Sequence, residues 1–132
     1  MADLTITQCD QAQVFKQFTG PAVEAIAEGQ RCRFDPTTGQ IALGNATNAA
    51  EAVQGGIATH AAGVGEALTI INEGIVDLGA ALDALAFGAS VFVSDTDGTF
   101  GTTAGTVSVV AGIVVPGWDS IPAQKLLHLT GQ

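Results

Sequence analysis

Tyrosine is absent from this 132-residue chain, tryptophan and methionine occur once each, and only four residues are lysine or arginine. Each scarcity excludes something. Four cations against thirteen carboxylates leave a net charge of −9 and an isoelectric point near 4.2, a field that repels phosphate backbones and anionic lipid. Neither nucleic acid nor a membrane is therefore an expected partner. Saccharide sites present aromatic platforms, and a chain with Trp118 alone and no Tyr is poorly supplied with them. The two cysteines, Cys9 and Cys32, match no zinc spacing, and two free thiols are the expectation for a reducing compartment.

Long apolar runs are missing too. Hydrophobic residues make up 47% of the chain, yet the longest such stretch, Val107 to Pro116, already contains Ser108 and Gly112. A bilayer span needs about 20 apolar residues. The first residues, "MADLTITQCDQAQ", carry Asp3 and Asp10 and lack the basic and apolar regions of a secretory signal, so synthesis in the cytoplasm is expected.

Catalytic patterns are equally scarce. No serine lies in a Gly-x-Ser-x-Gly elbow, and neither cysteine has a histidine nearby in sequence. His60 follows "GGIAT" at a strand end. His128 alternates with Leu127 and Leu129, which on a half-buried strand turns it away from the leucines, toward solvent or a subunit interface. Asp95, Asp97 and Gly98 open like a calcium loop, but Phe100, Gly101 and Thr102 follow where further ligands are needed, so the aspartates read as turn formers. Gly55-Gly56 and Gly63-Val64-Gly65 lack the lysine and the strand-to-helix setting of a phosphate loop and read as sites of close backbone approach. Asn45-Ala46-Thr47 fits a glycosylation acceptor that a chain without a secretion signal does not use. No enzyme activity, metal or cofactor is expected.

What the chain does contain is β-strand grammar punctuated by seventeen glycines. Its length fits one domain, which at this size buries roughly two-thirds of its unfolded surface. Residues 1–20 are polar and Gln-rich with a weak alternation in Leu4, Ile6, Val14, Phe15 and Phe18, and read as an extended, flexible N-terminal arm that pairs with something else. From 21 to 132 a single β domain is expected. "RCRF" and "DPTTGQIAL" spell strand, turn, strand, and "VFVS" with "DTDGTF" repeats the pattern. Each hairpin follows a small-residue turn ending in glycine, Gly29 or Gly88, and precedes a Gly-interrupted strand and a last alternating strand. The two modules, about 25–72 and 84–130, match at an offset of about 59 residues early and 56 to 58 later. Between them, Ile75, Val76 and Leu78 predict a strand, and Leu82 and Leu85 place a short helix over Ala80 to Ala86 that Gly88 stops. The expected fold class is mainly β, a compact barrel or sandwich with one or two short helices.

Glu28-Gly29-Gln30, Phe34-Asp35, Thr38-Gly39, Gly56-Ile57-Ala58, then Gly88, Val91, Asp97-Gly98 and Gly112-Ile113-Val114 together resemble the head decoration proteins of tailed bacteriophages, the lambda-type protein and a related small family. The resemblance implies a β-tulip or barrel-like domain on the capsid exterior of a virion. There it would form homotrimers and cement neighbouring copies of the major capsid protein. It also implies that the N-terminal arm docks by strand addition, with Leu4, Thr5, Ile6, Thr7, Val14 and Phe15 as the contact residues. Trp118, in the rigid loop "VVPGWDSIP", is an interface anchor or a lid on its own barrel end. The competing readings are another virion β-module of the tail tube or fibre, and a carbohydrate-binding β domain.

Overall fold

Short alternating segments separated by turn glycines build a curled half-barrel sheet in which 49% of the described residues are strand or bridge. The structure, a computed structural model, describes residues 3–49, 52, 55–117 and 125–130. Nine strands appear among them: β1 (Asp10–Pro21), β2 (Arg31–Phe34), β3 (Ile41–Leu43), β4 (Gly55–Ala58), β5 (Ala67–Asp77), β6 (Ser90–Val93), β7 (Phe100–Gly101), β8 (Val110–Pro116) and β9 (Lys125–Thr130). They join one sheet in the order β3-β2-β4-β5-β9-β8-β6-β7, with β1 paired to β5, and every strand pair is antiparallel. β5 is the hinge of this arrangement. Its first half pairs with β4 at Ile70 and Ile71, and its second half pairs with β9 from Glu73 to Val76.

The order therefore reads the same from both ends. β2, β3, β4 and the first half of β5 form one module; β6, β7, β8 and β9 repeat its connectivity as a second. Local chemistry repeats with it. Gly29 and Gly88 both take φ of 85°, and their amides donate to Ala58 O at 2.9 Å and Val114 O at 2.8 Å. Gly39 and Gly98 close the hairpins at φ of 72° and 70°, a left-handed backbone that glycine adopts without steric cost. Gly56 and Gly112 lie where β4 and β8 cross close to their neighbours; a Cβ there would strike the carbonyl oxygen of Ile71 or of His128.

Each sheet module has an inner and an outer face, and the faces are used differently. The first module turns Cys32, Ile41, Ala58, Leu68 and Ile70 inward, against Ala22, Ile26 and Ala62. Its outer face carries Ile57 and Ile71, and these belong to the larger cluster formed by the second module's inner face, with Val91, Val93, Phe100, Val114, Leu127 and Leu129. The outer face of one module is thus packed on the inner face of the other. Burial of each such aliphatic side chain stabilises by about 1.5–3 kcal/mol.

Two expectations need correction. Ala80 to Ala86 does not form a helix of that length; a single 3-10 turn, Gly79–Leu82, takes its place, and no α-helix occurs among the described residues. Gly79 enters it at φ of 67°, and Lys125 Nζ donates to the carbonyls of Asp83 and Leu85 beyond it, so a tertiary contact satisfies carbonyls that the turn leaves free. Residues 10–21 are not a free arm. They form the longest strand, running along β5 from Asp10↔Asp77 to Pro21↔Ala67 with three register shifts. Backbone pairing needs no apolar side chains, which is why a largely exposed polar segment holds this place.

Candidate functional site

Residues 3–9 form a strap that crosses from the second hairpin to the first. Asp3 bridges to Gly101, and its carboxylate accepts Ser94 Oγ at 2.6 Å and Thr96 Oγ1 at 3.1 Å. The Leu4 amide donates to Phe100 O at 2.8 Å, and the Cys9 amide donates to Glu28 Oε2 at 2.7 Å. Alternation holds along the strap: Leu4 and Ile6 pack on the larger core cluster, whereas Thr5 and Thr7 face solvent. A cleft of about 250 Å³ remains beside it, lined by Leu4, Thr5, Ile6, Gly98, Thr99 and Phe100 among others. The side chains expected to reach a partner are thus in part occupied within the chain.

Of the other expected contact residues, Val14 is half-buried against the same cluster, and Phe15 stands 52% exposed. The Phe15 ring meets His128 edge-on, with centroids 6.3 Å apart. Trp118 lies outside the described residues. Sequence reasoning did not single out a second ring pair. Phe18, 44% exposed, meets Phe34 edge-to-face at 4.9 Å, a geometry that the ring quadrupoles favour. Together with Lys16, Gln17 and Asn72 these rings line an open cleft of about 280 Å³. The two rings lie on different strands sixteen residues apart, and no spacing in the sequence announces the pair.

The titratable groups serve the fold. Asp35 accepts the amides of Thr37 and Thr38 at 2.8 and 3.1 Å, and these bonds hold its carboxyl below the usual range. Asp95 binds the amide and hydroxyl of Thr106, both at 2.8 Å, and Asp97 accepts the side-chain amide of Asn45. The Thr69 amide donates to His60 Nε2 at 3.2 Å while Nδ1 lies 3.0 Å from Ala61 O, so the ring closes its own loop. Among the described residues, no three His, Cys, Asp or Glu side chains gather into a group that could hold a metal ion. No helix among them is long and apolar enough to cross a membrane.

The cysteines are free and buried. Burial pushes both thiols up to about 12, with Glu28 adding to the effect at Cys9 and Glu24 to it at Cys32, where Arg31 opposes it. Thiolate, the nucleophilic form, is suppressed at neutral pH. Arg31 is the least expected residue: a guanidinium 1% exposed, brought down to about 10 by burial, with Nη1 donating to Cys32 O. No spacing in the sequence announced it. The chain matches no protein-family model and no curated protein.

Proposed function

We propose that this chain is a structural component of a tailed-phage head, a decoration protein that binds the outer capsid surface as homotrimers and stabilises contacts between neighbouring major capsid proteins. The observation that carries this reading is the internal duplication of a binding-sized β module in a chain whose Asp35, Asp95 and His60 side chains are spent on turns and loops. The residues that carry the resemblance fall at matched positions of the two modules: Gly29 with Gly88, Gly39 with Gly98, Gly56-Ile57-Ala58 with Gly112-Ile113-Val114. Two modules on each of three protomers make six weak contacts available at once, and linked weak contacts yield high avidity. The mechanism requires no titrating group. It acts by mass action, because a protein that binds only the assembled shell stabilises it by RT ln(1 + [L]/Kd) per site.

The docking residues differ from the simplest form of that expectation. Leu4 and Ile6 hold the strap to the chain's own core, so the solvent-facing Thr5 and Thr7, with Phe15, are the members of the set free to meet a shell. The test is heat rupture of undecorated, expanded shells with and without the protein. A rupture temperature that rises with protein concentration and then saturates is expected. No change at saturating protein would refute the cement role.

A further inference from the structure

The Phe18–Phe34 cleft is built on an irregularity of the sheet. From Pro21↔Ala67 to Gln17↔Ile71 the strands β1 and β5 pair without a break, but the next pair is Lys16↔Glu73, so Asn72 is an extra residue on β5. A regular strand sends neighbouring side chains to opposite faces. At this bulge Lys16 and Gln17 instead line one cleft together with Asn72, and Phe18 and Phe34 complete its wall. Bulges re-aim side chains in this way beside functional sites. The Asn72 side-chain amide donates to Gly55 O, which fixes that part of the rim.

The lining selects a ligand chemistry. Phe18 is 44% exposed and meets Phe34 edge-to-face, which leaves ring surface open to a third aromatic group. An apolar cavity of about 150 Å³ holds one benzene ring, so an open cleft of about 280 Å³ seats one ring with a short polar tail. That tail meets a cation. Among the described residues, Arg31, Arg33 and Lys125 donate to backbone carbonyls within the chain, whereas the Lys16 ammonium has no internal partner. Glu73, its register partner, forms no ion pair with it and does not line the cleft. We infer that the cleft takes an aromatic side chain flanked by a carboxylate, presented by a partner protein: the ring packs against Phe18 and Phe34, and the carboxylate pairs with Lys16. The occupant is a polypeptide rather than a free acid, because the cleft lies on β1, whose other edge pairs with no strand among the described residues and leaves room for a chain to continue. A ring seated in such a pocket is the kind of anchor that carries much of an interface's energy.

This inference rests on the docking role proposed above, names the chemistry of one contact in it, and is tested apart from the shell. The peptide acetyl-Gly-Asp-Phe-Gly-amide is titrated into the isotope-labelled chain and followed by NMR amide shifts, beside peptides with Asn for Asp or Ala for Phe, and beside free phenylacetate. Saturable shifts are expected at Lys16, Gln17, Phe18, Phe34 and Asn72. Asn for Asp should weaken binding about two- to fivefold, the size of an exposed ion pair, and the difference should vanish in Lys16→Gln. Phe18→Ala should weaken it about tenfold, as should Ala for Phe in the peptide. Phe18→Leu replaces Phe18→Ala if circular dichroism shows the latter unfolded. No shift at the cleft, equal binding of the Asp and Asn peptides by wild type, a difference that survives in Lys16→Gln, or phenylacetate binding more tightly than the peptide overturns the inference. Shells that bind wild type and the Phe18 variant equally sink this contact and leave the cement role standing; peptide binding by a chain that binds no shell does the reverse.

Discussion

Ile57 and Ile113 occupy one position of a duplicated module, following Gly56 and Gly112, yet they should differ sharply when truncated. Ile57 is fully buried between the modules, whereas Ile113 lies on the outer face, partly exposed. Ile57→Ala removes buried methyl groups and leaves a cavity where two sheet layers meet, a loss of about 2–5 kcal/mol. Ile113→Ala, half in solvent, should cost about 1 kcal/mol or less. At about 4 °C per kcal/mol for a chain of this length, the first variant should melt about 8–20 °C below wild type and the second within about 4 °C of it. Urea unfolding supplies the assay, run dilute enough that single chains are present, with midpoints compared at constant m. Equal losses at the two sites would refute the packing of one module's outer face on the other's inner face.

Further outcomes follow from other parts of the molecule. Both thiols titrate near 12 when folded against 9 when exposed, so their contribution is complete below pH 9 and falls above it. The slope approaches about 1.4 kcal/mol per pH unit for each thiol well above pH 9, and the loss between pH 9 and 10 is about 2 kcal/mol for the pair. Above pH 10 Arg31, lowered to about 10, offsets one thiol because the unfolded guanidinium keeps its proton longer. Urea midpoints at pH 8, 9 and 10 should show the fall in wild type but not in a Cys9→Ala, Cys32→Ala double variant; a flat wild-type profile contradicts it. Asp3→Ala strands the buried Ser94 hydroxyl and should cost about 1–2 kcal/mol in the same titration, whereas an unchanged midpoint would mean that the strap is not held. Gly56→Ala and Gly112→Ala drive a Cβ into a backbone carbonyl and should be far more damaging than Gly39→Ala, which meets open space and suffers only the penalty of its positive φ, about 1 kcal/mol; melting temperatures rank the three.

The strands were legible because their signals are local. "RCRF", "SVFV" and the run into Pro116 alternate or carry β-branched residues, and glycines with positive φ stand at the turns where the sequence put them. His128 does face away from Leu127 and Leu129. What failed was long-range. β1 owes its place to backbone bonds with β5, a partner more than forty-five residues away, and its own side chains say little about that. The same distance hid the burial of Cys9, which the strap carries into the core, and of Arg31. The Ala80 to Ala86 periodicity was real, but a 3-10 turn suffices to bury Leu82 when Lys125 caps the carbonyls that follow. The Phe18–Phe34 pair joins β1 to β2 and has no signature within either strand.

Co-sedimentation with undecorated, expanded shells tests the proposed function most directly. The bound fraction should saturate at a fixed number of copies per shell protein. Binding should weaken when Thr5, Thr7 and Phe15 are replaced by aspartate in a chain that still folds. Failure of the wild-type chain to bind any shell, together with ring-sized assemblies in free solution, would contradict the account and point to the tail instead.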